Sequence, residues 1–156
     1  DLWLKSTANY IDKHLTADLP KAFIHSDIFA SNVIINDKNT KATIMDFEEA
    51  SYNYRLFDIA ILTISLSSKH GSIDFSRVSL IIKGYTSVTK ITDEEKQALQ
   101  PLIVYAAAGV ALWRHKNFNY IAPDNNLKDS YMKMKNLADK VRDMPSSHFE
   151  LLNEIK

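Results

Sequence analysis

The chain has 156 residues, 46% hydrophobic and 24% charged, with nineteen Lys and Arg against nineteen Asp and Glu. That composition suits one folded domain with its own core and excludes a disordered or fibrous chain. Zero net charge excludes a general nucleic-acid or membrane-surface binder, which needs a basic excess, and the lack of cysteine excludes a disulfide scaffold, a zinc finger and a thiol nucleophile.

Leu4, Ala8, Ile11 and Leu15 recur at helical spacing and predict a first helix over 2–16. Phe23-Ile24 is a short β-type run, and Val33-Ile34-Ile35 is a second. The cluster Asn36-Asp37-Lys38-Asn39-Thr40 turns the chain into a third, Thr43-Ile44-Met45. With Ile35 across from Ala42, antiparallel pairing sets Asn32 opposite Met45, next to Asp46. Beyond residue 55 only helices are predicted. One runs from Leu56 to Ser68, and another from Phe75 to Val88, capped near Ser72 or Asp74. A third opens at 93 behind the capping box of Thr92 and Glu95. Pro101, lacking an amide donor, is expected to kink or restart that helix before it continues to Asn117. The small residues Ala106-Ala107-Ala108-Gly109 are expected to let neighbouring helices approach. A helix over 129–143 and a weaker tail over 145–156 complete the reading. The apolar run from Leu102 to Trp113 is shorter than the ~20 residues that cross a bilayer. No secretory leader is visible, and the opening Asp-Leu-Trp-Leu lacks a Met, so the native start is expected upstream and the cytoplasm is the expected location.

Chemistry concentrates in His25-Ser26-Asp27-Ile28-Phe29-Ala30-Ser31-Asn32 and in Ile44-Met45-Asp46-Phe47-Glu48, where the hairpin meets the rest of the fold. Phosphoryl transfer needs a carboxylate to orient and deprotonate an attacking hydroxyl, and oxygen ligands for a Mg²⁺ that bridges the phosphates. Asp27 can serve as the base. Asn32 and Asp46, brought together by the hairpin, can serve as the hard oxygen ligands.

The pattern His-x-Asp-x-x-x-x-Asn, then a hydrophobic strand, a turn and Ile-x-Asp-Phe, resembles the catalytic core of protein kinase-like small-molecule phosphotransferases. That superfamily contains the aminoglycoside phosphotransferases, choline kinases and type II homoserine kinases. The resemblance implies an α+β, mainly helical fold: the C-lobe of a kinase-like enzyme with a small catalytic β-hairpin. It implies ATP and Mg²⁺ as cofactors and a small-molecule hydroxyl as acceptor. Asp27 matches the catalytic aspartate and His25 the histidine that orients its loop. Asn32 and Asp46 match the metal ligands. Asp58, in Leu56-Phe57-Asp58-Ile59-Ala60, resembles the aspartate that braces the catalytic loop through backbone amides. Asp-Ile-Phe-Ala-Ser-Asn-Val is similar to homoserine kinases. So are Ile82-Lys83-Gly84-Tyr85, Ile91-Thr92-Asp93-Glu94-Glu95 and Leu112-Trp113-Arg114 in order and spacing, which makes homoserine the expected acceptor. An aminoglycoside, choline, ethanolamine or an amino sugar is the alternative. A non-catalytic interaction domain of the same shape is the rival from another class.

With 26 residues ahead of Asp27, the chain has no room for the family's nucleotide-binding lobe. The expectation is a C-lobe, with catalytic loop and metal site over 23–47 and a helical substrate side over 56–156. Its missing N-terminal lobe is the expected partner, and self-association is expected of the isolated piece. No nucleic-acid or membrane partner is expected. Glu48 and Glu49 are read as a second metal contact, recognition of a cationic substrate group, or a solvated face. Arg114 and His115 suit the dipole at a helix C-terminus. Trp113, Tyr105 and Tyr85 are core or cleft wall, and Lys133, Lys135, Lys140 and Arg142 a solvated basic face.

Overall fold

In the computed structural model of the protein, which describes residues 2–15, 18–69 and 71–153, the first amphipathic segment forms helix α1, Leu2–His14. Strand β1 (Lys21–Ile24) leads through a loop and a 3-10 turn, Ala30–Asn32, into the hairpin of β2 (Val33–Ile35) and β3 (Ala42–Ile44). Ile35 pairs with Ala42 and Val33 with Ile44, and the Met45 amide donates to the Asn32 carbonyl at 3.0 Å. Asn36 makes the turn. Its Oδ1 accepts from the Thr40 and Lys41 amides at 2.8 and 3.0 Å, while Asn39 takes the left-handed φ of 53° that asparagine tolerates.

The sequence reading has no strand after β3 and leaves β1 without a partner. The structure supplies one in β4 (Ser51–Tyr54), antiparallel to β1 with Phe23 opposite Tyr52 and their rings 5.5 Å apart. A four-residue strand whose partner lies a whole hairpin upstream leaves little local signature. Helix α2 (Phe57–Leu66) follows, and then a departure from the all-helical expectation beyond residue 55. The hairpin of β5 (Ser68–Lys69) and β6 (Ser72–Ile73) stands before α3 (Phe75–Thr86). Gly71 turns it at φ +72°, a conformation that side chains rarely adopt, and Lys140 donates to the Gly71 carbonyl at 2.8 Å. Asp74 caps α3 by accepting from the Ser76 amide.

Helix α4 (Asp93–Lys116) is the axis of the fold, packed by α1, α2 and α5 (Tyr131–Arg142). Both hydrogen bonds of the Thr92–Glu95 capping box are present. Of the two expected effects of Pro101, a restart is not seen: α4 runs through it. Losing one amide bond costs about 3 kcal/mol in an isolated helix. Here every residue from Ala98 to Val104 is buried, and that packing outweighs the local penalty. A π-helical turn, Asn117–Ile121, extends the helix. The tail forms 3-10 turns over Ser146–Asn153, and its last three residues lie outside the described residues.

Three polar ties hold these layers in register. Arg55, between β4 and α2, donates from Nε and Nη2 to the two oxygens of Glu95, each at 2.7 Å, and Glu95 is 1% exposed. Gln100 on α4 donates to the carbonyls of Val141 and Met144 at the end of α5, at 2.8 and 2.9 Å, filling acceptors that a helix C-terminus leaves open. Asp139 on α5 accepts from the Trp3 indole at 2.8 Å and pairs with Lys135 and Arg142. Burial opposes its ionisation, yet these donors hold its carboxyl below the usual range. The basic face read from the sequence is therefore partly engaged in internal pairs. No helix among the described residues is long and apolar enough to cross a membrane.

Candidate active site

The loop after β1 is held from below by α2. Asp58, in the first turn of that helix, accepts from the backbone amides of His25 at 3.0 Å and Ser26 at 2.8 Å. Ser26 is thereby kept at φ 69°, a left-handed conformation that costs a non-glycine residue on the order of 1 kcal/mol or more. The kink turns the next residue, Asp27, away from the strand. His25 is buried, and both its ring nitrogens are engaged. Nδ1 accepts from the Asp27 amide at 3.2 Å, which leaves the proton on Nε2 to be donated to the Met45 carbonyl at 2.9 Å. Its ring also lies 4.6 Å from that of Phe47. His25 thus links the Asp27 loop to the segment carrying Asp46, and neither nitrogen is left to exchange a proton with a substrate. It is a positioning residue.

Asn32 closes the other end of the loop. Its Nδ2 donates to the backbone carbonyl and to Oδ2 of Asp27, both at 2.9 Å, and Ser31 Oγ donates to its Oδ1 at 3.2 Å. The amide is thereby oriented with nitrogen toward Asp27 and oxygen away. Asp46 follows β3 in a left-handed turn of its own, φ 67°, and is exposed. Burial raises the Asp27 carboxyl above the usual carboxylate range. The Asn32 hydrogen bond and His25 oppose that rise, while the negative charges of Glu49 and Asp46 add to it. These two acids therefore act on the same space as Asp27. A carboxylate with a raised pKa, held in one rotamer by an amide, is suited to accept a proton from a hydroxyl.

Asp27 opens on a cavity of about 530 Å³. Ser26, Asp27, Phe29 and Ser31 form its loop side, with Glu48 and Glu49 from the segment after β3. Phe57 and Ile61 come from α2. The far wall is one stripe of α4: Ala106, Gly109, Val110, Trp113 and Arg114. Trp113 is 59% exposed, so it is cleft wall rather than core. Two sequence readings gain detail here. In the stretch Ala106-Ala107-Ala108-Gly109 the three alanines are buried, but a Cβ on Gly109 would meet nothing within 4 Å, because that residue borders open space. Arg114 does lie in the last turn of α4 and also lines the cavity beside Asp27. Its spacing from Ala106 and Val110 marks one helix face, but only the docking of α4 against the loop shows what that face meets. His25, Asn32, Asp46 and Asp58 do not line the cavity.

Among the described residues, no group of three or more His, Cys, Asp or Glu side chains is arranged to hold a metal ion. By chemistry, not by a shown contact, Asn32 and Asp46 make a set of hard oxygen donors. That set fits Mg²⁺, which takes one or two carboxylates from a protein and completes its shell with water and phosphate oxygens. The residues present thus fit a cation that arrives with a nucleotide.

Residues 2–77, from α1 to the start of α3, match the model of a family described as the phosphotransferase enzyme family. The homoserine kinase of Rhizobium meliloti (strain 1021) is 34% identical over 100 residues, covering 64% of this chain and 30% of that protein. That of Zymomonas mobilis subsp. mobilis is 32% identical over 124 residues, covering 78% of this chain and 38% of that protein. That of Gluconacetobacter diazotrophicus is 38% identical over 98 residues, 62% of this chain and 30% of that protein. These matches support assigning the chain to a kinase-like phosphotransferase superfamily. The curated relatives named here are homoserine kinases, and the chain spans 30% to 38% of their length. The family match includes Asp27, Asn32, Asp46 and Asp58, whereas the α4 wall of the cavity lies beyond it.

Proposed function

We propose that this chain is the C-lobe of an ATP-dependent small-molecule kinase, acting in the cytoplasm with homoserine as acceptor. The observation that carries the reading is the setting of Asp27. It lies at the mouth of a cavity, fixed by Asn32, on a loop braced by Asp58. The acceptor hydroxyl, seated in the cavity, would give its proton to Asp27 as its oxygen bonds to the γ-phosphorus. The bond from that phosphorus to the departing ADP oxygen breaks. Asn32 and Asp46 would hold Mg²⁺, which neutralises phosphate charge when bound. Ser26, Asn32 and Asp58 keep the base in one place, so positioning supplies much of the rate. Homoserine is favoured among acceptors by the names of the relatives, and the proposed N-terminal lobe by their greater length.

The test is ADP release by the full-length protein with ATP, Mg²⁺ and a panel of homoserine, choline, ethanolamine, an amino sugar and an aminoglycoside. Homoserine should give the highest kcat/KM, chelation of Mg²⁺ should abolish turnover, and Asp27→Ala should lower kcat by about 10²–10⁴-fold. A higher kcat/KM for another acceptor would replace homoserine. Unchanged turnover in Asp27→Ala would remove the base.

A further inference from the structure

The cavity beside Asp27 carries charge of both signs. Glu48 and Glu49 stand on its loop side and Arg114 on its α4 wall. The chain has four arginines. Arg55 pairs with Glu95, Arg77 with Asp74, and Arg142 with Asp139 and Asp143. Among the described residues, Arg114 alone of the four has no carboxylate partner. Among the described residues, its one side-chain hydrogen bond runs from Nη1 to the Ser130 carbonyl at a long 3.4 Å. It is half-buried, and burial pushes the guanidinium below its usual pKa. A guanidinium taken partly out of water with no anion beside it is costly unless something supplies that anion. Arginine's planar donor fork matches a carboxylate, and its pKa keeps it charged even when buried. Asp27, the proposed base, lines this cavity, so the acceptor hydroxyl would be seated in it.

We propose that the acceptor is a small zwitterion, with its carboxylate bound by Arg114, its ammonium held by Glu48 and Glu49, and its hydroxyl facing Asp27. This rests on the kinase reading above and selects within its acceptor list. Choline, ethanolamine and aminoglycosides supply the cation and the hydroxyl but leave Arg114 unpaired. Homoserine supplies all three groups. The sequence reading leaves Glu48 and Glu49 open between metal, substrate cation and solvent. Their place on the wall of Asp27's own cavity favours the substrate cation.

The experiment compares three acceptors in the full-length protein: homoserine, 3-aminopropan-1-ol, which lacks the carboxylate, and 4-hydroxybutyrate, which lacks the ammonium. The wild type should prefer homoserine over 3-aminopropan-1-ol by about 100-fold in kcat/KM, the usual size of a charge-assisted hydrogen-bonded contact. Arg114→Met should bring that ratio close to one, mainly by lowering turnover of homoserine. Arg114→Lys, which keeps charge and bulk but loses the fork, should give an intermediate ratio and covers the case in which the Met variant is unstable. The double variant E48Q/E49Q should collapse the preference for homoserine over 4-hydroxybutyrate. An equal loss on homoserine and 3-aminopropan-1-ol in both Arg114 variants would mean a structural role and overturn the assignment. So would a wild type indifferent to the carboxylate. Failure of the kinase reading looks different: the wild type would then turn over no acceptor at all.

Discussion

Asp27 is held beside the cavity at some expense to the fold. Because burial raises its carboxyl, the folded chain binds that proton more tightly than the unfolded chain does. Stability is then greatest below the ordinary carboxylate pKa of about 3.9 and is lost as pH rises through the raised value. Asp27→Asn removes the ionisation while its amide oxygen still accepts from Asn32. It should abolish turnover yet raise the Tm at about pH 7, with the gap to wild type shrinking toward about pH 4. Thermal scans across that range check this, and a lower Tm for the variant at neutral pH would contradict it. In the active protein, the acidic limb of kcat/KM should lie above the ordinary carboxylate value, because Asp27 must be ionised to accept the hydroxyl proton. The sequence named Asp27, Asn32 and Asp46 through residue type and spacing alone. It held no sign of the left-handed backbone at Ser26 and Asp46, since neither residue is glycine.

Secondary-structure elements are joined by a few polar contacts between residues distant in the chain. Glu95 serves both as the N3 member of the α4 capping box and as the bidentate partner of Arg55. The first role is visible in the sequence, the second only in the fold. Glu95→Ala strands the Arg55 guanidinium and opens the cap, so it should destabilise by about 3 kcal/mol. Glu95→Gln, which keeps the cap's hydrogen bond to the Thr92 amide, should cost less. Denaturant unfolding measures both. Gly109 is the opposite case. It is a helix-interior glycine with open space where a Cβ would go, so Gly109→Ala should stabilise α4 by about 0.5–1 kcal/mol. Gly109→Leu should raise the acceptor KM by filling the cavity. An acceptor KM unmoved by Leu would show that the substrate lies elsewhere.

At the scale of the whole molecule, the two faces of the site are finished differently. The α4 side rests on a buried core that extends from α2 to α5. The hairpin side is open, with Ile34, Ile35, Ile44, Met45 and Phe47 all exposed around Asp46. Contiguous apolar surface of this kind marks an interaction face, and in the proposed enzyme the nucleotide lobe would cover it. These 156 residues expressed alone should therefore self-associate in sedimentation experiments and show no ATP-dependent phosphorylation. A monomer at high concentration, or turnover by this polypeptide, would contradict that arrangement.

Features set by short-range physics were legible in the chain itself. The hairpin register follows from the turn cluster Asn36–Thr40 between β-prone runs, and the start of α4 from a capping box. Residue type and spacing also put Asp27, Asn32 and Asp46 forward together, and the structure brings Asn32 against Asp27. What the chain could not announce depends on segments that meet from far apart. These are the pairing of β1 with β4, the passage of α4 through Pro101, the Arg55–Glu95 pair, and the cavity that brings Arg114 to Asp27. Local preferences act over a few residues. Burial against distant neighbours is stronger, and it alone determines which face of a helix becomes core and which becomes the wall of a site.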